Sequence, residues 1–135
     1  MLHPALAAAA AAVAVLTPTV LAVDSENVVE DVPVACTGIG QVKNDPRWAA
    51  YPVRIEFANP AAEYLAAGEV TVFDARTAKP LVAVRCPAPW ILLKLPKGGY
   101  RVEGRVPESP AKPRSATFSA PATGQIRVVL TFPDA

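Results

Sequence analysis

Residues Trp90–Val106, WILLKLPKGGYRVEGRV, carry the strongest local constraint in the chain. Ile91, Leu93 and Leu95 alternate with Leu92 and Lys94, and after a break Tyr100, Val102 and Val106 alternate with Arg101, Glu103 and Arg105. A period of two on both arms is a strand signal. Pro96 ends the first arm because it has no N–H to give a ladder, and Gly98 and Gly99 supply the positive φ that a short connection needs. The stretch therefore reads as a β-hairpin. With Leu95 opposite Tyr100, Lys94 would face Arg101, Leu92 would face Glu103, and Trp90 would stand beside Arg105 as a cation–π pair.

The same period recurs elsewhere. Val53–Phe57 alternates apolar with charged, and Glu69–Asp74, Leu81–Cys86, Arg114–Ser119 and Gln125–Phe132 place apolar residues at alternate positions. Fifteen prolines are scattered between these runs, which suits short strands joined by stiff loops. One short helix is expected near 45–51, with Asn44 or Asp45 capping and Pro46 at the first position. Trp48 and Tyr51 share its apolar side and are expected over an end of the core. Gly38-Ile39-Gly40 reads as a tight turn with Ile39 as a buried anchor, and Glu63-Tyr64-Leu65 as a short strand. About seven strands with turns every eight to twelve residues describe a single antiparallel β-sandwich.

The N-terminus is of another kind. Ala5–Leu16 is apolar and has the length of a signal-peptide core, shorter than the roughly 20 residues a membrane-spanning helix needs. Val20-Leu21-Ala22 offers a cleavage site after Ala22. The expected organisation is a signal helix and leader over 1–22, an extended acidic lead-in over 23–36 that ends in an edge strand at Val32–Cys36, and a sandwich domain over 37–133. Export follows, to the periplasm or beyond, without stable membrane insertion once the leader is removed. In an oxidising compartment the two cysteines, Cys36 and Cys86, are expected to be bridged.

Net charge is +1, but residues 23–75 sum to −6 and residues 76–135 to +7. Neither total nor spacing resembles a nucleic-acid binder. The one histidine, His3, lies in the leader, so a mature chain has no imidazole for a catalytic triad or for a metal. Wide Cys spacing is unlike a redox pair, and Gly98-Gly99 serves a turn, not a phosphate. No cofactor and no metal are expected. Glu56, Glu69, Asp74 and Glu103 sit at outward strand positions or strand ends and read as solvated charges. Trp48 and Tyr100 continue apolar faces and read as core.

Leu95-Pro96-x-Gly98-x-Tyr100-x-Val102 resembles the signature hairpin of carboxypeptidase regulatory-like domains, small secreted sandwiches of prealbumin-like shape. More of the chain resembles a narrower group of small exported bacterial proteins with that domain. The resemblance runs through Gly38-Ile39-Gly40, Pro46–Tyr51, the Tyr51–Ile55 strand, Tyr64-Leu65 and Leu95–Val102. The chain departs from that group at Lys43-Asn44-Asp45 and at Cys86-Pro87-Ala88-Pro89. The resemblance implies the fold and no activity. The expected role is a monomeric, non-catalytic binding or structural module docking on an envelope protein or polysaccharide. Its candidate interaction face is the outward side of the hairpin, Trp90, Lys94, Arg101 and Arg105. A hydrolase using surface carboxylates is the competing class, and β-strand addition to an open sheet edge a third reading.

Overall fold

Alternating side chains on ten short strands divide the chain into two packed sheets. The computed structural model describes residues 15–66 and 68–135. In chain order the strands are β1 Thr19–Val20, β2 Ser25–Val29, β3 Val32–Thr37, β4 Val53–Ala58, β5 Gly68–Asp74, β6 Pro80–Cys86, β7 Trp90–Leu93, β8 Gly98–Arg105, β9 Arg114–Ala120 and β10 Ile126–Thr131. Sheet A has the order β1-β6-β5-β8-β9 and sheet B the order β10-β4-β7-β3-β2. The expected all-β sandwich is present, with ten strands among the described residues where about seven were expected. It is not wholly antiparallel, because β1 runs parallel to β6 and β10 parallel to β4.

The core lies between the sheets. Sheet A contributes Val70, Val72, Val82, Val84, Tyr100 and Val102, and sheet B contributes Val34, Val53, Ile55, Phe57, Ile91 and Leu93, all buried. Removing one such side chain from water stabilises by roughly 1.5–3 kcal/mol. Phe57 stacks on Phe132 with ring centroids 5.7 Å apart. The pair reaches sheet A at Gly68 and Gly104, where a Cβ would collide with Phe57 and with Leu130 respectively. Glycine is needed at both for close approach rather than for backbone freedom.

The two sheets are also joined covalently. Cys36 of β3 and Cys86 of β6 form a disulfide with Cα atoms 5.6 Å apart, as the sequence suggests. Closing a loop with a sequence separation of 50 restricts the unfolded chain by roughly 4 kcal/mol in the loop-entropy picture.

The expected hairpin at 90–106 is not formed. β7 belongs to sheet B, between β3 and β4, and β8 belongs to sheet A, between β5 and β9. Residues 94–97 cross from one sheet to the other as an arch, with Leu95 buried beneath them and the Tyr100 hydroxyl donating to the Pro96 carbonyl at 2.7 Å. The reason is that β7 uses both edges for other strands and buries all four of its side chains, leaving no edge for β8. Four consecutive apolar residues, Trp90-Ile91-Leu92-Leu93, are the mark of such a central strand.

Other expectations change in detail. The helix near 45–51 is 3₁₀, Pro46–Ala50, capped by Asp45 as expected and preceded by a second 3₁₀ turn, Gln41–Asn44. Trp48 and Tyr51 cover the outer face of sheet B over Leu92 and Ala35, not an end of the core. Ile39 is half-exposed; the turn is anchored instead by Trp90, which packs where a Cβ on Gly38 (φ +121°) would sit. Tyr64 makes a single bridge with Ala58. The stretch read as a lead-in is a hairpin of sheet B, turning at Glu30 and Asp31, both with positive φ. The expected signal helix falls largely in residues 1–14, outside the described residues, while the end of the stretch read as leader, 1–22, supplies β1.

Gly104→Ala is expected to lower unfolding stability by about 1–3 kcal/mol, as overpacking does in a closed core. Urea denaturation monitored by tryptophan fluorescence checks it, and an unchanged midpoint would show that Leu130 can move aside.

Candidate functional site

The outer face of sheet B is where polar chemistry is buried. β4 presents Arg54 and Glu56 outward, because Val53, Ile55 and Phe57 point into the core. Parallel pairing sets Arg127 beside Arg54 and Val129 beside Glu56, and on the other side Trp90 lies across from Glu56 and Leu92 across from Arg54. The 3₁₀ turns roof the neighbouring part of this face. Gln125 Nε2 donates to the Trp48 and Tyr51 carbonyls, each at 2.9 Å, and the Tyr51 hydroxyl donates to Glu26 at 2.6 Å. Burial and the Glu26 carboxylate push the Tyr51 phenol well above its usual range.

Glu56 is fully buried, which corrects the reading of it as a solvated charge. Arg127 grips it bidentately, Nε to Oε2 and Nη2 to Oε1, both at 2.8 Å. Arg54 Nε lies 2.7 Å from Oε2 without a well-directed hydrogen bond. It acts as a charge, and its guanidinium stacks 4.1 Å from the Trp90 ring centroid. Burial pushes the Glu56 carboxyl up, but the Arg127 hydrogen bonds and the charges of Arg54 and Arg127 outweigh it. They hold the carboxyl below the usual glutamate range. The same contacts raise Arg127 further. Two cations against one anion leave one surplus positive charge.

That surplus faces a groove. Asn59 Oδ1 accepts from the Ala61 and Glu63 amides, each at 3.0 Å, and this Asx turn fixes the loop that delivers Tyr64. Tyr64 meets Trp90 edge-on, centroids 6.2 Å apart, with Lys43 5.9 Å from its own ring centroid. Between the loop and β10 lies an open groove of about 170 Å³ lined by Glu56, Asn59, Tyr64, Arg127, Val129 and Thr131, among others. Arg127, 55% exposed at its side chain, commits Nε and Nη2 to Glu56, and the Tyr64 side chain lies within reach of the same pair. The arrangement suits the carboxylate, sulfate or phosphate group of a ligand, since a planar guanidinium recognises such anions directionally.

The four residues of the expected interaction face do not meet. Trp90, 7% exposed, is scaffold for Arg54 and Tyr64, and its Nε1 is buried without a partner. Lys94 is exposed beside the roof, 4.8 Å from the Tyr51 ring centroid. Arg101 and Arg105 stand on the outer face of sheet A, Arg101 stacked 4.1 Å from the Phe73 centroid and Arg105 across from Glu69. The separation follows from the arch: the two arms occupy opposite layers, so their outward sides point away from each other. Of the other carboxylates, Glu69 contacts Arg85 at 3.6 Å. Asp74 accepts the Thr77 and Arg76 amides, which hold it below the usual range. No cluster of three or more metal-type ligands occurs among the described residues. What the sequence reading missed is Glu56, Arg127 and Tyr64 as one site. The available signal was Arg54-x-Glu56, a charge pair on one face of a strand.

Glu56 has its folded-state pKa depressed below an unfolded value of about 4.3. Its contribution is therefore complete above that pH and lost as pH falls through the lower folded value. The melting temperature is expected to fall on acidification below about pH 4. Glu56→Gln is expected to cost about 2 kcal/mol at neutral pH and to flatten that acid slope. Thermal denaturation of both proteins from neutral to strongly acid pH measures it; equal slopes would remove Glu56 as the cause.

Compared with known proteins, the chain matches no family model and no curated protein sequence at significance.

Proposed function

We propose that this protein is an exported, non-catalytic binding module of the cell envelope, monomeric, which docks on a protein or polysaccharide through an anionic group. The groove beside Tyr64 holds that group against Arg127. The observation that carries the reading is the surplus charge of Arg54, Glu56 and Arg127, with a half-exposed Arg127 lining the groove. A carboxylate locked by two arginines is a poor proton donor or nucleophile, which argues for binding over hydrolysis. The disulfide fits an oxidising compartment. The motif spread from Gly38 to Val102 supports a carboxypeptidase regulatory-like domain of prealbumin-like shape, and two five-stranded sheets agree with that class of fold.

Binding to a carboxylated polysaccharide such as polygalacturonate, set against a neutral dextran, tests the role. Parent protein is expected to bind the acidic polymer alone and to lose affinity as salt rises. Tyr64→Ala and Arg127→Lys are expected to weaken binding at least tenfold, about 1.4 kcal/mol, the latter because a point charge replaces the planar fork. Unchanged binding by both variants would end the reading.

Export has its own check. Intact-mass analysis of envelope or secreted material is expected to show a chain beginning at Val23. A full-length cytosolic product would remove the compartment from the proposal.

A further inference from the structure

Three bases stand in the acidic half of the chain, Lys43, Arg47 and Arg54. Arg47 lies 3.7 Å from Glu26 and 3.8 Å from Asp45, and Arg54 lies 2.7 Å from Glu56. Lys43 makes no ion pair among the described residues. Nine acids share that half with it, so its isolation comes from where the fold puts it and not from a shortage of partners.

The 3₁₀ turn Gln41–Asn44 sets that place. Its Val42 carbonyl accepts from the Trp48 indole Nε1 at 2.7 Å and from the Asp45 amide at 3.0 Å. The turn is thereby tied to a buried side chain on the outer face of sheet B. Gln41, Val42 and Asn44 are exposed, whereas Lys43 is half-buried, with its ammonium 5.9 Å from the Tyr64 ring centroid. The Tyr64 side chain also lies within reach of Arg127 and Glu56. One aromatic side chain, 44% exposed, thus stands between Lys43 and the arginine of the groove. Glu63, next in sequence to Tyr64, is held by the Asn59 amide nitrogen at 2.9 Å and does not line the groove. Arg54, Arg127 and Lys43 against Glu56, three cations against one anion, leave two surplus positive charges.

Two cations about an exposed ring restrict what can engage both. A lone carboxylate meets one of them, while a chain with carboxylates at short, regular intervals meets both. Between the two the ligand lies on the ring, and a pyranose has C–H groups on its faces that pack against an aromatic surface. A linked pair of uronic acids brings these features in one stiff unit. It loses less entropy on binding than an acidic peptide, whose carboxylates sit on rotatable side chains.

We infer that Lys43 is a second anion contact of the Arg127 groove, and that the site takes two consecutive uronic acid units across Tyr64, one carboxylate at Arg127 and the next at Lys43. The inference rests on the proposed binding of an anionic group at Arg127, and it adds the residue that makes chain length matter.

Calorimetric titration of the full chain, folded and oxidised, with galacturonate, digalacturonate and trigalacturonate tests it. The parent is expected to bind the dimer about tenfold or more tightly than the monomer, because two contacts are joined in one ligand, with little further gain at the trimer. Lys43→Gln is expected to lose that gain while keeping the parent's monomer affinity and melting temperature. Lys43→Arg is expected to retain the gain. So is Lys112→Gln, which removes one charge from the exposed loop between β8 and β9. Arg127→Lys is expected to weaken every length. A full gain in Lys43→Gln, or none in the parent, overturns the inference and leaves the Arg127 reading standing. Triglutamate binding as tightly as digalacturonate overturns it in favour of an acidic peptide. A parent that binds no length at all removes the inference and the Arg127 reading together.

Discussion

Strand β7 has no free side. Its edges are taken by β3 and β4, its inner face by the core through Ile91 and Leu93, and its outer face by the roof over Leu92 and the arginine stacked on Trp90. A strand with every hydrogen-bonding and packing surface committed cannot also pair with the segment that follows it. The chain must leave the sheet, and it does so through Leu95 and Pro96. The arch then delivers β8 to sheet A, where Gly104 admits the Phe57 and Phe132 rings. Sheet assignment, layer spacing and the separation of the charged faces all descend from that one saturated strand.

The outer face of sheet B inherits the consequence. Trp90 and Leu92 are large and apolar on a side that an ordinary sandwich leaves wet, so this face needs cover. The 3₁₀ turns cover Leu92, and Tyr64 with the Arg54 guanidinium covers Trp90. Once Arg54 lies flat on the indole, Glu56 two residues on is shut in with it. A second cation from β10 then makes ionisation tolerable. The sign asymmetry along the sequence resolves in the same way, because Arg85 and Arg127 of the basic half pair with Glu69 and Glu56 of the acidic half.

Strand positions and the disulfide were legible, since period-two alternation and two cysteines in an export context are local or countable signals. What could not be read was which strand neighbours which. Leu95-Pro96-x-Gly98 is compatible with a hairpin or with an arch, and the difference is whether β7 has a spare edge. The uninterrupted Trp90–Leu93 run held that information, and reading it as alternation about Ile91 and Leu93 concealed it. The Glu30-Asp31 turn was hidden for another reason, since it adopts positive φ without glycine or asparagine. Glu56 was misjudged because outward on a strand was equated with exposed. That equation fails where neighbouring side chains are long enough to lie across the sheet.

An ion triad built around a buried carboxylate is an expensive way to cover a sheet. Well-packed apolar residues in the places of Arg54, Glu56 and Arg127 would cover Trp90 at equal or lower free energy, since the desolvation of charges offsets much of their attraction. Stability alone therefore does not account for the cluster. What it supplies that leucine would not is orientation. Glu56 takes two of the Arg127 nitrogens and so restrains the guanidinium plane at the wall of the groove that Tyr64 also lines. A guanidinium held before the ligand arrives loses less side-chain entropy on binding than one free to rotate. On the binding reading proposed above, Glu56 is a positioning residue whose work is to aim Arg127 at the anionic group.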